Sequence, residues 1–182
     1  MTRRTLPLFL TAVLAILVSV QPAKAFFGGG GGGMKEGDVA PAFSGQTLDN
    51  QPLNFAQFKG KNVVVLDFWS IYCSSCVEEI PKLVDIYNEF KNKGLVMVGV
   101  NLDSFGTQRV VRFMQGMPVK INFPVIIDKD RKVATAFSAM VLPTTLVIGV
   151  DGKIKFYHVG YKAGDEKHIR TVIADAVKQI KK

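Results

Sequence analysis

Asp67-Phe68-Trp69-Ser70-Ile71-Tyr72-Cys73-Ser74-Ser75-Cys76 holds both cysteines of the 182-residue chain. The apolar run Val63-Val64-Val65-Leu66-Asp67-Phe68-Trp69 leads into it and reads as a buried parallel strand, and residues 77–93 read as an amphipathic helix. The cysteine pair therefore stands where a strand hands over to a helix N-terminus. The free N–H groups and positive dipole end there favour a thiolate on Cys73, able to bring a thiol pKa from about 8.5 into the range of roughly 3.5–7.5. Two other readings of the pair compete with exchange. A zinc site needs two more Cys or His ligands, and the chain offers only His158 and His168, without the close spacing of a ligating pair. A structural staple closing so short a loop removes little entropy from the unfolded chain. Dithiol exchange at Cys73 and Cys76 is the expectation, with neither metal nor cofactor called for.

Residues 1–25 carry Arg3 and Arg4, an uncharged stretch, and Ala23-Lys24-Ala25, the pattern of a secretory signal. The apolar part, Leu6 to Val20, would make a helix of roughly 22 Å, short of a bilayer core of about 30 Å. An uncleaved membrane tether is the alternative. No cysteine lies nearby, so no lipidated N-terminus is expected. Residues 26–37 include the unbroken run Gly28 to Gly33 and read as a linker spanning roughly 20 Å. Residues 38–182 are of a length to form one domain with a sizeable core. The net charge of +8 falls to +5 when Arg3, Arg4 and Lys24 leave with the signal. The remaining lysines are scattered, with no basic block or aromatic interleaving, which argues against nucleic acid.

Past the linker, residues 42–47 and 52–55 read as a small hairpin. Strands are expected at 63–69, 95–101, 123–127, 144–150 and 153–159, and helices at 77–93, 107–117, 131–137 and 166–180. Asp151-Gly152 is a hairpin turn that makes the last two strands antiparallel. The fold class is α/β, a central mixed sheet flanked by helices.

Asp67-Phe68-Trp69, Cys73-Ser74-Ser75-Cys76 and the downstream Leu142-Pro143-Thr144 resemble the thioredoxin fold. Gly37-Asp38-Val39-Ala40-Pro41-Ala42-Phe43, Phe58-Lys59-Gly60-Lys61, Glu79-Ile80-Pro81 and Val98-Gly99-Val100-Asn101, with the N-terminal hairpin and an extra central helix between Asn101 and Phe123, resemble the exported TlpA/ResA branch of the thioredoxin-like, AhpC/TSA-redoxin-like proteins. The resemblance implies a periplasmic or otherwise extracytoplasmic protein-disulfide reductase. Cys73 would be the more exposed nucleophile, Cys76 the resolving thiol and Pro143 a cis-proline facing them. Disulfide-containing secreted proteins, apocytochromes c among them, would be its substrates, and a membrane thiol-transfer protein its electron donor.

Asp67 is a lone acid in an apolar strand. Burial would raise its pKa into the range of a proton acceptor for Cys76; the competing reading pairs it with Lys59 or Lys61 at a strand end. An acid here matches thioredoxin proper and departs from the uncharged residue common in TlpA/ResA proteins. Those relatives often carry an acid just after the Val-Asn motif, where Ser104 stands here; the neighbouring Asp103 either compensates for it or, the preferred reading, is ordinary surface charge. Leu142 would offer its backbone to an extended substrate, and Trp69 and Tyr72 would form an apolar rim, with a place in the core the equal alternative for either. Ser74-Ser75 replaces the Gly-Pro of familiar members, which keeps an oxidant or isomerase open. A peroxiredoxin-like peroxidase would use Ser70 before Cys73 but lacks the upstream proline of its motif. A copper-binding assembly factor using Cys73, Cys76 and His158 or Met140 would want three residues between the cysteines, not two.

Overall fold

The computed structural model describes residues 33–180. The expected secretory signal, and the linker up to residue 32, lie outside the described residues. β1 (Ser44–Gln46) and β2 (Pro52–Asn54) form the N-terminal hairpin. The main elements follow as β3 (Val63–Trp69), α1 (Ser74–Phe90), β4 (Leu95–Asn101), α2 (Thr107–Gln115), β5 (Val125–Ile127), α3 (Lys132–Ala136), β6 (Thr144–Ile148), β7 (Ile154–Val159) and α4 (Asp165–Val177). The five-stranded sheet has the order β5-β4-β3-β6-β7, with β3, β4 and β5 parallel and β6 and β7 antiparallel. It is the mixed, helix-flanked sheet of the thioredoxin fold. Asp151-Gly152 makes the last hairpin, with Gly152 at φ 75°, a left-handed conformation that a side chain would resist.

All seven residues of β3 are buried, because the central strand of a sheet covered on both faces has no solvent side. Alternation divides them. Val63, Val65 and Trp69 join Cys76, Ile80, Leu83, Ile169 and Ile173 beneath α1 and α4, whereas Val64, Leu66 and Phe68 join Leu53, Phe55, Val133 and Phe137 on the opposite face. Asp67 shares the parity of Val65 and Trp69, so the pleat aims it at the α1 side.

Among the boundaries that differ from the sequence reading, three do so for local reasons. α1 starts at Ser74, three residues earlier than expected, because Cys73 itself caps it. A 3-10 turn over Lys91–Lys93 closes that segment and ends at Gly94, φ 94°. The fold also takes in residues assigned to the linker. Met34 packs on the second cluster, and the Gly37 N–H donates to the Ile154 carbonyl at 2.8 Å.

Gly99 of β4 lies against the layer under the site. A Cβ there would lie 3.1 Å from Trp69 Nε1, 3.2 Å from Val125 Cγ2 and 3.4 Å from Phe123 Cε2. Three walls leave no direction for relief, so Gly99→Ala is expected to lower stability by about 1–3 kcal/mol, read as a lower urea midpoint at unchanged m-value.

Candidate active site

β3 ends at Trp69, and Ser70 to Tyr72 carry the chain to Cys73, the N-cap of α1. Cys73 has extended backbone, φ −100° and ψ 102°, and its Sγ accepts the Cys76 N–H at 3.2 Å. The sulfur thus occupies the place where capping side chains usually put an oxygen, against donors that the helix leaves unpaired. Cys73 and Cys76 are joined in a disulfide. Cys73 is half-buried and Cys76 is 1% exposed, an asymmetry that makes Cys73 the sulfur an incoming partner can reach.

The Leu142-Pro143 peptide is cis. Thr144 pairs with Phe68 in the β3–β6 register, so one more step of that register sets Pro143 beside Trp69, at the end of β3 from which the chain turns to Cys73. The Pro143 carbonyl accepts the Gly160 N–H at 2.7 Å, and Leu142 is half-buried immediately before it. Tyr72 is 64% exposed, and its hydroxyl accepts from Arg109 Nη1 of α2 at 2.8 Å. Phe105, Val141 and Met140 are the other large apolar side chains exposed on the loops after β4 and before β6. Trp69 is not part of a rim. It is 1% exposed and packs on Phe113 under the site, because the fully buried β3 keeps its last residue inside.

Asp67 makes no ion pair with Lys59 or Lys61; it is 1% exposed and faces a second acid, Glu79, equally buried. Glu79 stands one turn after Cys76 on α1, where i and i+3 are neighbours on one helix face. Thr145 lies opposite Asp67 in the sheet register and donates its hydroxyl to Glu79 Oε1 at 2.8 Å. Asp67 Oδ1 and Glu79 Oε2 have no hydrogen-bond partner. Burial, and then the charge of Glu79, hold the Asp67 carboxyl well above the usual carboxylate range, with Thr145 opposing. Burial likewise pushes Glu79 up to about 7; the Thr145 bond opposes this and Asp165 adds to it. Two carboxyls in one low-dielectric space resist double ionisation, so the pair retains a proton where ordinary carboxyls are charged. Reading the sequence singled out Asp67 but took Glu79 only as part of a motif. An acid at the helical spacing of Cys76 and Leu83, on a buried stripe, was the available signal.

Asp103 is not surface charge. It is buried, its Oδ1 accepting from Ser70 Oγ at 2.6 Å and its Oδ2 from the Ile71 N–H at 3.0 Å and Asn101 Nδ2 at 2.7 Å. This occupies the Ser70 hydroxyl, which also accepts the Tyr72 N–H at 3.1 Å, and weighs against the peroxidase reading of Ser70. His158 sits on β7, half-exposed, with Nε2 3.2 Å from Asp165 Oδ2.

Residues 37–157, more than half of the chain, match the model of the AhpC/TSA family. The thiol-disulfide oxidoreductase ResA of Bacillus subtilis is 35% identical over 123 residues, covering 66% of this chain and 65% of its own length. ResA of Halalkalibacterium halodurans is 32% identical over 126 residues, covering 69% of each. Among solved structures, a Chlorobium tepidum protein assigned as a thiol:disulfide interchange protein DsbE superposes with a TM-score of 0.72 at 28% identity, over 79% of this chain and 99% of its own.

Proposed function

The chain belongs to the AhpC/TSA family, and on that premise we propose that it is an extracytoplasmic thiol-disulfide oxidoreductase that reduces disulfides of other exported proteins. The observation that carries the reading is the half-buried Cys73 sulfur seated on the Cys76 N–H at the start of α1, above a fully buried Cys76. In the dithiol form, Cys73 thiolate attacks one sulfur of a substrate disulfide. A Cys73–substrate disulfide forms and the other substrate sulfur leaves as a thiolate, taking a proton from solvent. Cys76 then gives its proton to Asp67 and attacks Cys73 Sγ, expelling the second substrate sulfur. Two electrons pass to the substrate, and the protein is left with its Cys73–Cys76 disulfide. Glu79 shares the proton load of Asp67. Leu142 offers backbone to an extended substrate segment beside Pro143, and Tyr72 borders it.

Secretion is supported by the signal pattern of residues 1–25. No helix among the described residues is long and apolar enough to cross a membrane, so a tether would have to come from that signal. A compartment where disulfides persist requires that the reduced form be renewed. A membrane thiol-transfer protein is the donor, and apocytochromes c are the substrate class implied by the likeness to the exported branch.

The direction of transfer is tested by equilibration with glutathione buffers. The protein is expected to stay oxidised until the buffer is strongly reducing, with a potential near the thioredoxin value of about −270 mV. A potential at or above that of glutathione would make the protein an oxidant or isomerase, the reading that Ser74-Ser75 keeps open.

A further inference from the structure

We infer that Asp103 is a positioning residue whose carboxylate fastens the turn that delivers Cys73 to the N-terminus of α1. The inference rests on the reading of Cys73 as the attacking sulfur. Three residues, Ser70 to Tyr72, must carry the chain from the end of β3 to the cap, and the backbone donors of the turn need partners at a site open to substrate. The Ile71 N–H goes to Asp103 Oδ2 at 3.0 Å, the Tyr72 N–H to Ser70 Oγ at 3.1 Å, and the Cys73 N–H to the Ser70 carbonyl at 3.1 Å. The Ser70 hydroxyl has a single hydrogen and gives it to Asp103 Oδ1 at 2.6 Å. One carboxylate therefore holds the turn at two points, directly at Ile71 and through Ser70.

Asp103 is itself fixed. Asn101 Nδ2 donates to Oδ2 at 2.7 Å, and the Asp103 N–H returns to Asn101 Oδ1 at 3.1 Å. Asn101 is fully buried and pairs with Trp69 in the β3–β4 register, and the Leu102 N–H donates to the Trp69 carbonyl at 2.9 Å. The rigid ends of two central strands thus anchor the acid, and the acid anchors the turn. Every group around it is a donor, which suits a side chain that only accepts. The same segment then runs through Phe105, 72% exposed, to α2, whose Arg109 reaches the Tyr72 hydroxyl. The element that fixes the nucleophile is continuous with one that borders the mouth of the site.

Positioning and a simple charge effect predict opposite signs. Losing the anchor loosens the seat of the sulfur on the helix end, so the Cys73 thiolate becomes harder to form. Losing only a nearby negative charge makes it easier. Asparagine keeps an acceptor for Ile71 and Asn101 and can donate to Ser70 Oγ, so it preserves the anchor without the charge. The test follows alkylation of Cys73 by iodoacetamide against pH in the reduced full chain, with the modified cysteine identified by mass spectrometry. Asp103→Ala is expected to move the midpoint up by about one pH unit, slowing alkylation below the midpoint about tenfold, and Asp103→Asn to restore most of it. Ser70→Ala, which cuts one of the two ties, should move the midpoint in the same direction by less, and serves if Asp103→Ala does not fold. Unmoved midpoints in Asp103→Ala and Ser70→Ala, or a downward shift shared by Asp103→Ala and Asp103→Asn, would overturn the role. A native Cys73 no more reactive than an ordinary thiol would remove the nucleophile reading, and this role with it.

Discussion

Cys73→Ser lowers turnover of a disulfide substrate by more than about a thousandfold, and Cys76→Ser converts the protein into a trap. The first effect is large because a serine hydroxyl at the same cap is not ionised at neutral pH, and the sulfur that remains, Cys76, is 1% exposed and out of a substrate's reach. The second follows from burial. Cys73 can still be reached and can still form the Cys73–substrate bond, but the sulfur that should expel the substrate is missing from beneath it. Non-reducing gels and mass spectrometry should show a covalent adduct at Cys73 in the Cys76→Ser chain, released by dithiothreitol. Adducts captured from the cell envelope would identify the substrates. A Cys73→Ser chain with native turnover, or a Cys76→Ser chain that attaches partners at any other residue, would end the proposed mechanism.

The fold was legible because each signal that built it is local. Val63 to Trp69 is apolar without alternation, which marks a strand covered on both faces, and Asp151-Gly152 closes the last hairpin in the expected place. The same reading of β3 decides between rim and core for Trp69, since a strand without an exposed face does not expose its last residue. The start of α1 escapes apolar periodicity because a cysteine sulfur fills the capping position usually held by an oxygen. Glu79 was within reach of helical periodicity. Asp103 was legible as a stand-in for the family's acid, but its contacts were not: its partners Ser70 and Ile71 lie 33 and 32 residues away, and an acid just past a strand, followed by serine, has the local appearance of a solvated loop.

Removing one carboxyl from the buried pair should stabilise the protein and change the pH dependence of its second chemical step. The Glu79 carboxyl titrates near 7 in the fold, against an ordinary value of 4.5, so between those limits the native state holds a proton that the unfolded chain has lost. Stability therefore declines as pH rises from about 4.5 to 7, and Asp67, also raised by burial, adds to the decline. Glu79→Gln keeps an acceptor for the Thr145 hydroxyl and abolishes its share of that decline. The variant should match the native protein in urea melts at pH 4.5 and exceed it at pH 8, by on the order of 2–3 kcal/mol. Asp67→Asn should show the same sign. In stopped-flow fluorescence the two variants separate. Asp67→Asn slows release of the Cys73–substrate disulfide more than its formation, because the acceptor for the Cys76 proton is gone. Glu79→Gln retains that acceptor but relieves it of a neighbouring charge, so the release step rises at lower pH than in the native protein. Equal slowing of formation and release in Asp67→Asn, or a release profile unmoved by Glu79→Gln, would return both acids to a purely structural place beneath the dithiol.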